Sequence, residues 1–74
     1  MRLLHVEDGK TVRVIRFDDG GGLESKLRQL GLLPGDCARV LRHAPLGGPI
    51  LVEVDGRSLA LGRGVAYKIW VEYA

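Results

Sequence analysis

The stretch LRQLGLLPGD, residues 27–36, predicts a helix that ends abruptly and a strand that starts a few residues later. Leu23, Leu27 and Leu30 are spaced i, i+4 and i+7, which places them on one face of a short helix. Gly31 is suited to the left-handed conformation that caps a helix at its C-terminus. The sequence therefore predicts a helix that ends at Gly31.

The residues after this helix predict a tight turn. Proline cannot continue a helix, and the pair Pro34-Gly35 fits the second and third positions of a β-turn. Such a turn sends the next strand off in a fixed direction. We expect an architectural role for the five residues of this motif, which are Leu30, Gly31, Leu32, Pro34 and Gly35.

A β-hairpin is predicted for ILVEVDGRSLAL, residues 50–61. Asp55-Gly56 is typical of a two-residue hairpin turn, which would pair Val52 with Leu59. Side chains alternate across a strand, so this register also assigns the faces. The predicted inward residues are Ile50, Val52, Val54, Leu59 and Leu61, and the predicted outward ones are Leu51, Glu53, Ser58 and Ala60.

Three further segments complete the predicted fold. KTVRVIRF (10–17) alternates, which favours a strand. One side would carry Val12, Val14 and Arg16, and the other side Thr11, Arg13, Ile15 and Phe17. CARVLRHA (37–44) and IWVEY (69–73) also favour strands. DDGGG (18–22) is predicted to be a loop and GRGVAYK (62–68) a helical turn. We predict one mainly all-β domain over residues 1–74, a small barrel of about five strands with an inserted short helix and a helical turn. Closure of such a barrel is expected to remove exposed strand edges.

Composition limits the classes of function. The 74 residues can bury only one core, and the net charge of +2 comes from basic and acidic residues that are mixed along the chain. The sequence has no apolar run long enough to span a membrane and no signal-peptide core. Its single cysteine cannot form an intrachain disulfide. We expect a cytoplasmic protein without direct membrane insertion.

No catalytic or metal-binding pattern emerges from the sequence. Asp18 and Asp19 would repel a phosphate at the glycine run, and the Gly-Lys-Ser/Thr ending of a phosphate loop is missing. Cys37 and His43 would lie about 20 Å apart on a regular strand, too far to share an ion. We therefore predict no enzymatic activity, no catalytic residues, and no cofactor or metal within a monomer. A metal held between two chains stays open.

Several motifs in order resemble the FeoA family of small ferrous-iron transport proteins. They are LRQLGLLPGD (27–36), APLGGPI (44–50) and SLALGRGVAYKIWV (58–71). The resemblance implies an SH3-like barrel with a helix inserted after the first strand. It also implies a non-catalytic cytoplasmic protein that acts on FeoB, a GTP-binding ferrous-iron permease.

The resemblance and the strand faces together give candidate partner contacts. An apolar residue at the tip of a rigid surface loop is suited to binding, which selects Leu46. Leu41, Leu51 and Trp70 fall on outward positions, where either the inserted helix covers them or they form an exposed apolar patch. The candidate contacts are Leu46, Gly47, Gly48, Pro49, Leu51 and Trp70.

Other functions remain open at this point. One alternative is a nucleic-acid-binding SH3-like barrel, although aromatic residues are only 5% of the chain and offer few stacking platforms. Another is an SH3-like domain of the kind found in metal-dependent regulators. Self-association is also possible. Among these, the sequence favours an adaptor that does not bind nucleic acid.

Overall fold

The computed structural model describes residues 1–18 and 22–74. Part of the predicted DDGGG loop, Asp19 to Gly21, lies outside the described residues. The strands and helices in chain order, after a short 3-10 turn at Leu3–His5, are β1 Thr11–Phe17, α1 Gly22–Leu30, β2 Cys37–His43, β3 Ile50–Val54, β4 Arg57–Leu61, α2 Arg63–Tyr67 and β5 Ile69–Tyr73. The mainly β fold with a short helix and a helical turn agrees with the prediction.

All five strands form one antiparallel sheet with the order β4-β3-β2-β1-β5. The predicted hairpin register is confirmed, because Val52 lies opposite Leu59 and Ile50 opposite Leu61. Asp55 and Gly56 have φ of 52° and 77°, as a type I′ turn requires. Leu59 is only half-buried, although it packs against the core. The prediction that Leu59 faces inward is therefore correct, but its side chain is not fully buried.

The predicted faces of β1 hold only for its first half. Val12 and Val14 lie on the same side, as predicted, and are buried, but the pairing with β5 is irregular between Val14 and Arg16. A bulge adds one residue to a strand and reverses its alternation beyond that point. Ile15 is 45% exposed, while Phe17 packs against the core opposite Ile69. The prediction that Phe17 lies on the same side as Ile15, away from Val12 and Val14, is therefore wrong.

The core fills the inside of the curved sheet, and α1 and the N-terminal turn contribute to it. Leu3 and Val6 enter it from the N-terminal segment, and Leu27 and Leu32 from α1 and its C-terminal extension. Side chains from every strand complete it. The fully buried larger residues are Leu3, Leu27, Leu32, Ile50, Leu61, Ile69, Val6, Val12, Val14, Val40, Val52 and Val54.

The end of α1 explains the abrupt stop read from the sequence. Gly31 has φ of 87°, and its N–H donates to the Arg28 carbonyl at 3.0 Å while the Leu32 N–H donates to the Leu27 carbonyl at 2.9 Å. These two bonds form a Schellman motif. A Cβ at Gly31 would collide with the Arg57 guanidinium. The positive φ is what requires glycine there, because the flexible Arg57 side chain could move aside.

The Pro34-Gly35 turn is attached to β1 by backbone hydrogen bonds. Gly35 has φ of 96°, which suits the third position of a type II turn. The Gly35 N–H donates to the Val14 carbonyl at 2.8 Å, and the Val14 N–H donates to the Asp36 carbonyl at 2.9 Å. The Asp36 carboxylate also accepts the Leu33 N–H at 2.8 Å. The turn therefore sets the direction of β2 relative to β1.

Hydrogen bonding does not close the sheet into a full barrel, contrary to the expectation that closure removes the edges. The two end strands are β4 and β5. The N-terminal segment covers the outer edge of β5, because the Val71 N–H donates to the Met1 carbonyl at 2.8 Å and Arg2 forms a bridge with Trp70. No described segment pairs with the outer edge of β4. One edge therefore stays open.

Candidate functional site

The loop between β2 and β3, residues 44–49, is named the proline loop here. The Ala44 N–H donates to the Pro49 carbonyl at 2.9 Å, and the Gly48 N–H donates to the Pro45 carbonyl at 3.1 Å. The two prolines restrict φ at both sides of the turn. These bonds and prolines hold the loop in one conformation.

Leu46 lies at the tip of the proline loop and is completely exposed. Its accessible area is 103% of the reference value. Its φ of 59° and the φ of 74° at Gly47 define a turn with two left-handed residues. The bend therefore uses Leu46 and Gly47. Gly48 has a different role, since a Cβ there would lie 2.8 Å from the Ala44 Cβ.

The conformation of Leu46 is costly in two ways. A left-handed backbone costs a residue with a Cβ about 1–2 kcal/mol. The exposed leucine side chain also forgoes the favourable free energy that burial of its apolar surface would provide. Residues held in such conformations concentrate at functional sites. Leu46 is therefore the strongest single pointer to a contact surface on this molecule.

The structure does not bring all the candidate contacts together. Leu51 is half-buried on β3, opposite Ala60 and Arg42. Trp70 is half-buried on β5, which is at the other side of the sheet order. Neither belongs to the core or packs against it. Leu51, at the start of β3, is close in sequence to the proline loop, whereas Trp70 belongs to a different surface.

Trp70 is covered by arginines rather than by α1. The Arg2 guanidinium lies 4.2 Å from the centre of the Trp70 ring and 3.9 Å from that of Tyr67. The Arg16 guanidinium lies 4.8 Å from the Trp70 ring. All three are cation–π contacts. Neither alternative drawn from the sequence for Trp70 is correct, because guanidinium groups occupy its faces.

Asp18 joins the two arginines. Its carboxylate oxygens lie 3.0 Å from Arg2 and 3.1 Å from Arg16. The buried Trp70 Nε1 has no hydrogen bond of regular geometry with any described residue, so its interaction with Asp18 is a looser polar contact. That indole N–H first, and then Arg2 and Arg16, hold the pKa of Asp18 below its ordinary value of 3.8. This cluster fastens the N-terminus to β5.

We expect Asp18→Asn to lower the melting temperature at pH 7. Because the folded-state pKa is lowered, the stabilisation from ionised Asp18 is fully present above pH 3.8 and is lost as the pH falls through the lowered pKa. The difference between wild type and variant should disappear in strong acid. Thermal unfolding followed by circular dichroism across this range measures it.

The matched control is Asp55→Asn, in the exposed β3–β4 turn. Asp55 forms no ion pair with the described residues, and asparagine suits the left-handed turn equally well. Its melting temperature should follow the wild-type value at each pH. A constant deficit for Asp18→Asn at all pH values would contradict the ionic origin of the effect.

His43 and Cys37, the two residues considered as metal ligands, do not form a common site. His43 contacts the Asp8 carboxylate through Nδ1 at 2.7 Å and the Leu4 carbonyl through Nε2 at 3.1 Å. Cys37 is exposed at the start of β2. Within residues 1–18 and 22–74, no three His, Cys, Asp or Glu side chains form a group that could hold a metal ion. No described helix is long and apolar enough to cross a membrane.

The chain is similar in sequence and in fold to several known proteins. The FeoA domain family matches residues 1–73. "Putative Fe(2+) transport protein A" of Methanocaldococcus jannaschii is 35% identical over 72 residues, 97% of this chain and 85% of that protein. The solution structure of iron(II) transport protein A from Clostridium thermocellum is 32% identical with a TM-score of 0.93, and covers 100% of this chain. A manganese-dependent transcriptional repressor is 28% identical with a TM-score of 0.90, also over 100% of this chain.

The chain spans 46% of the Clostridium thermocellum chain and 41% of the repressor chain. The shared fold makes this a small SH3-like β-domain of the type found in iron-transport proteins and metal-dependent regulators. With the family match over 1–73, the chain belongs to the FeoA family.

Proposed function

We propose that this chain is a non-enzymatic accessory protein of ferrous iron uptake. In this proposal it acts in the cytoplasm and docks the proline loop on the cytosolic GTP-binding domain of a FeoB-type transporter. Membership of the FeoA family and similarity to two proteins described as iron(II) transport proteins support the pathway. The observation that carries the docking role is the fully exposed, left-handed Leu46.

The geometry of the loop favours docking for an energetic reason. A loop that is ordered before binding loses less entropy on association. The two backbone hydrogen bonds across residues 44–49 order it. An exposed leucine at its tip then gains burial when it enters an apolar pocket. Gly47, Gly48 and Pro49 follow Leu46 in the loop, and Leu51 lies just beyond them, so these residues would form the edge of the contact.

The pairing of three arginines and the cover over two aromatic rings do not favour nucleic acid as a partner. Arg2, Arg13 and Arg16 are paired with Asp18 or Glu72. The faces of Tyr67 and Trp70, which could stack on bases, lie against guanidinium groups. We propose that the chain binds no nucleic acid and needs no resident metal or cofactor as a monomer. The occupied ring nitrogens of His43 support the second part of that proposal.

Calorimetric titration of the chain with the isolated cytosolic domain of a FeoB-type transporter tests the docking role. We expect saturable one-to-one binding that changes little with salt, because the central contact is apolar. A parallel titration with duplex DNA and single-stranded RNA should show negligible binding. No binding to the transporter domain, or nucleic-acid binding that falls steeply with salt, would overturn the proposal.

A further inference from the structure

The open edge of β4 has a defined set of hydrogen-bonding groups. The type I′ turn at Asp55-Gly56 makes Val54 and Arg57 a hydrogen-bonded pair, and such pairs alternate along an antiparallel ladder. Arg57, Leu59 and Leu61 therefore direct their backbone groups toward β3, and Ser58 and Ala60 direct theirs away from it. No described residue outside the ladder bonds to Ser58 or Ala60, and both are exposed.

We propose that β4 pairs with β4 of a second copy of this chain, in an antiparallel arrangement with a two-fold axis at Leu59. In this register Ser58 of each copy lies opposite Ala60 of the other. Both pairs are hydrogen-bonded pairs, so four N–H to carbonyl bonds form and all the outward groups of the two residues are satisfied. If the two-fold axis lay at Ser58 or at Ala60 instead, the two β4 strands would form only one hydrogen-bonded pair.

The side chains of β4 suit this self-pairing. Leu59 is half-buried on the core face, and in the dimer it would meet its own copy at a non-hydrogen-bonded pair, where side chains approach most closely. Ser58 and Ala60 are small and leave room on the outer face. Arg57 would lie opposite Leu61, so no like charges oppose each other.

The edge also lacks the usual protection against pairing. Exposed edge strands are commonly blocked by proline, lysine, a bulge or a covering segment. The β4 strand contains no proline or lysine, and its one charged residue, Arg57, is at its first position. Its ladder with β3 is regular over all five pairs. The opposite edge of the sheet, on β5, is covered by Met1 and Arg2. A second copy would give β4 the cover that β5 already has.

Two measurements on the intact chain test the proposal. Sedimentation velocity from micromolar to millimolar concentration should show a reversible shift from the mass of one chain to that of two, since so short an interface gives a weak dimer. Over the same range, amide hydrogen exchange at Ser58 and Ala60 should slow several-fold. Amides exposed elsewhere, such as that of Leu46, should exchange at a constant rate.

Ala60→Pro removes the outward N–H without removing a ladder bond, because proline is tolerated at an edge position that faces solvent. It should keep the chain monomeric at all concentrations. Ala60→Ser, which keeps the N–H and the size of the side chain, should dimerise as the wild type does.

Three results would overturn self-pairing. One is a wild-type chain that stays monomeric at millimolar concentration with constant exchange at Ser58 and Ala60. Another is a dimer that Ala60→Pro leaves intact. The third is protection of these two amides by the transporter domain but not by more of this chain, which would make the edge a docking strand for another protein. If Ala60→Pro does not fold, the test rests on the wild-type chain, in which exchange at Ser58 and Ala60 must slow with increasing concentration.

Discussion

Leu27→Ala is expected to lower the free energy of unfolding by about 2–5 kcal/mol, the range for truncating a buried leucine. Leu27 is 0% exposed in the middle of α1, and its carbonyl accepts the Leu32 N–H that closes the helix end. A domain of this size has a margin of only a few kcal/mol. The variant should therefore be largely unfolded near body temperature. Urea unfolding followed by far-ultraviolet circular dichroism measures the loss.

The same chemical change at Leu46 is the control. Leu46→Ala deletes the same atoms from a fully exposed side chain, so its unfolding midpoint should stay close to that of the wild type. Equal losses for the two variants would contradict the assignment of Leu27 to the core and Leu46 to the surface. A loss below about 1 kcal/mol for Leu27→Ala would mean that α1 is not anchored as the structure shows.

Leu46→Asp is expected to weaken binding to the cytosolic domain of a FeoB-type transporter by about 30-fold or more, since a central contact residue contributes about 2 kcal/mol or more. A charge at the loop tip would have to enter an apolar pocket without a partner. The fold should be unaffected, because the side chain touches nothing in the free protein and aspartate tolerates a left-handed backbone better than leucine does. Calorimetry and thermal unfolding of the same sample measure both effects.

Two further variants separate the causes. Leu46→Asn removes the apolar side chain without adding a charge, and it should lose most of the affinity if burial of leucine drives docking. Tyr73→Asp adds the same charge at another exposed apolar residue, at the end of β5, and should bind normally.

Two outcomes would contradict docking through Leu46. Unfolding of Leu46→Asp would show that the loop is part of the folded core. A folded Leu46→Asp with full affinity would place the contact elsewhere. Leu51 and Trp70, the other apolar candidates outside the core, would then be tested next.

The sequence by itself determined the local geometry of this protein. The type I′ turn at Asp55-Gly56 and the Schellman cap at Gly31 follow from residues that are adjacent in the chain, because only a few residue types accept a positive φ. The register from Val52 to Leu59 follows in turn, since a two-residue loop fixes which residues face each other. The outward position of Leu46 was also predicted, because the prolines and glycines around it favour a rigid surface loop.

The tertiary structure alone decided the features that depend on residues far apart in sequence. The bulge at Ile15 moves Phe17 to the core face, and it lies in the pairing of β1 with β5, two strands far apart in the sequence. The cover over Trp70 comes from Arg2, 68 positions away, as the bridge between them shows. The open edge of β4 depends on which strands become neighbours. Alternation along a strand is a local property, whereas bulges, arginine stacking and unpaired edges arise only when distant segments meet.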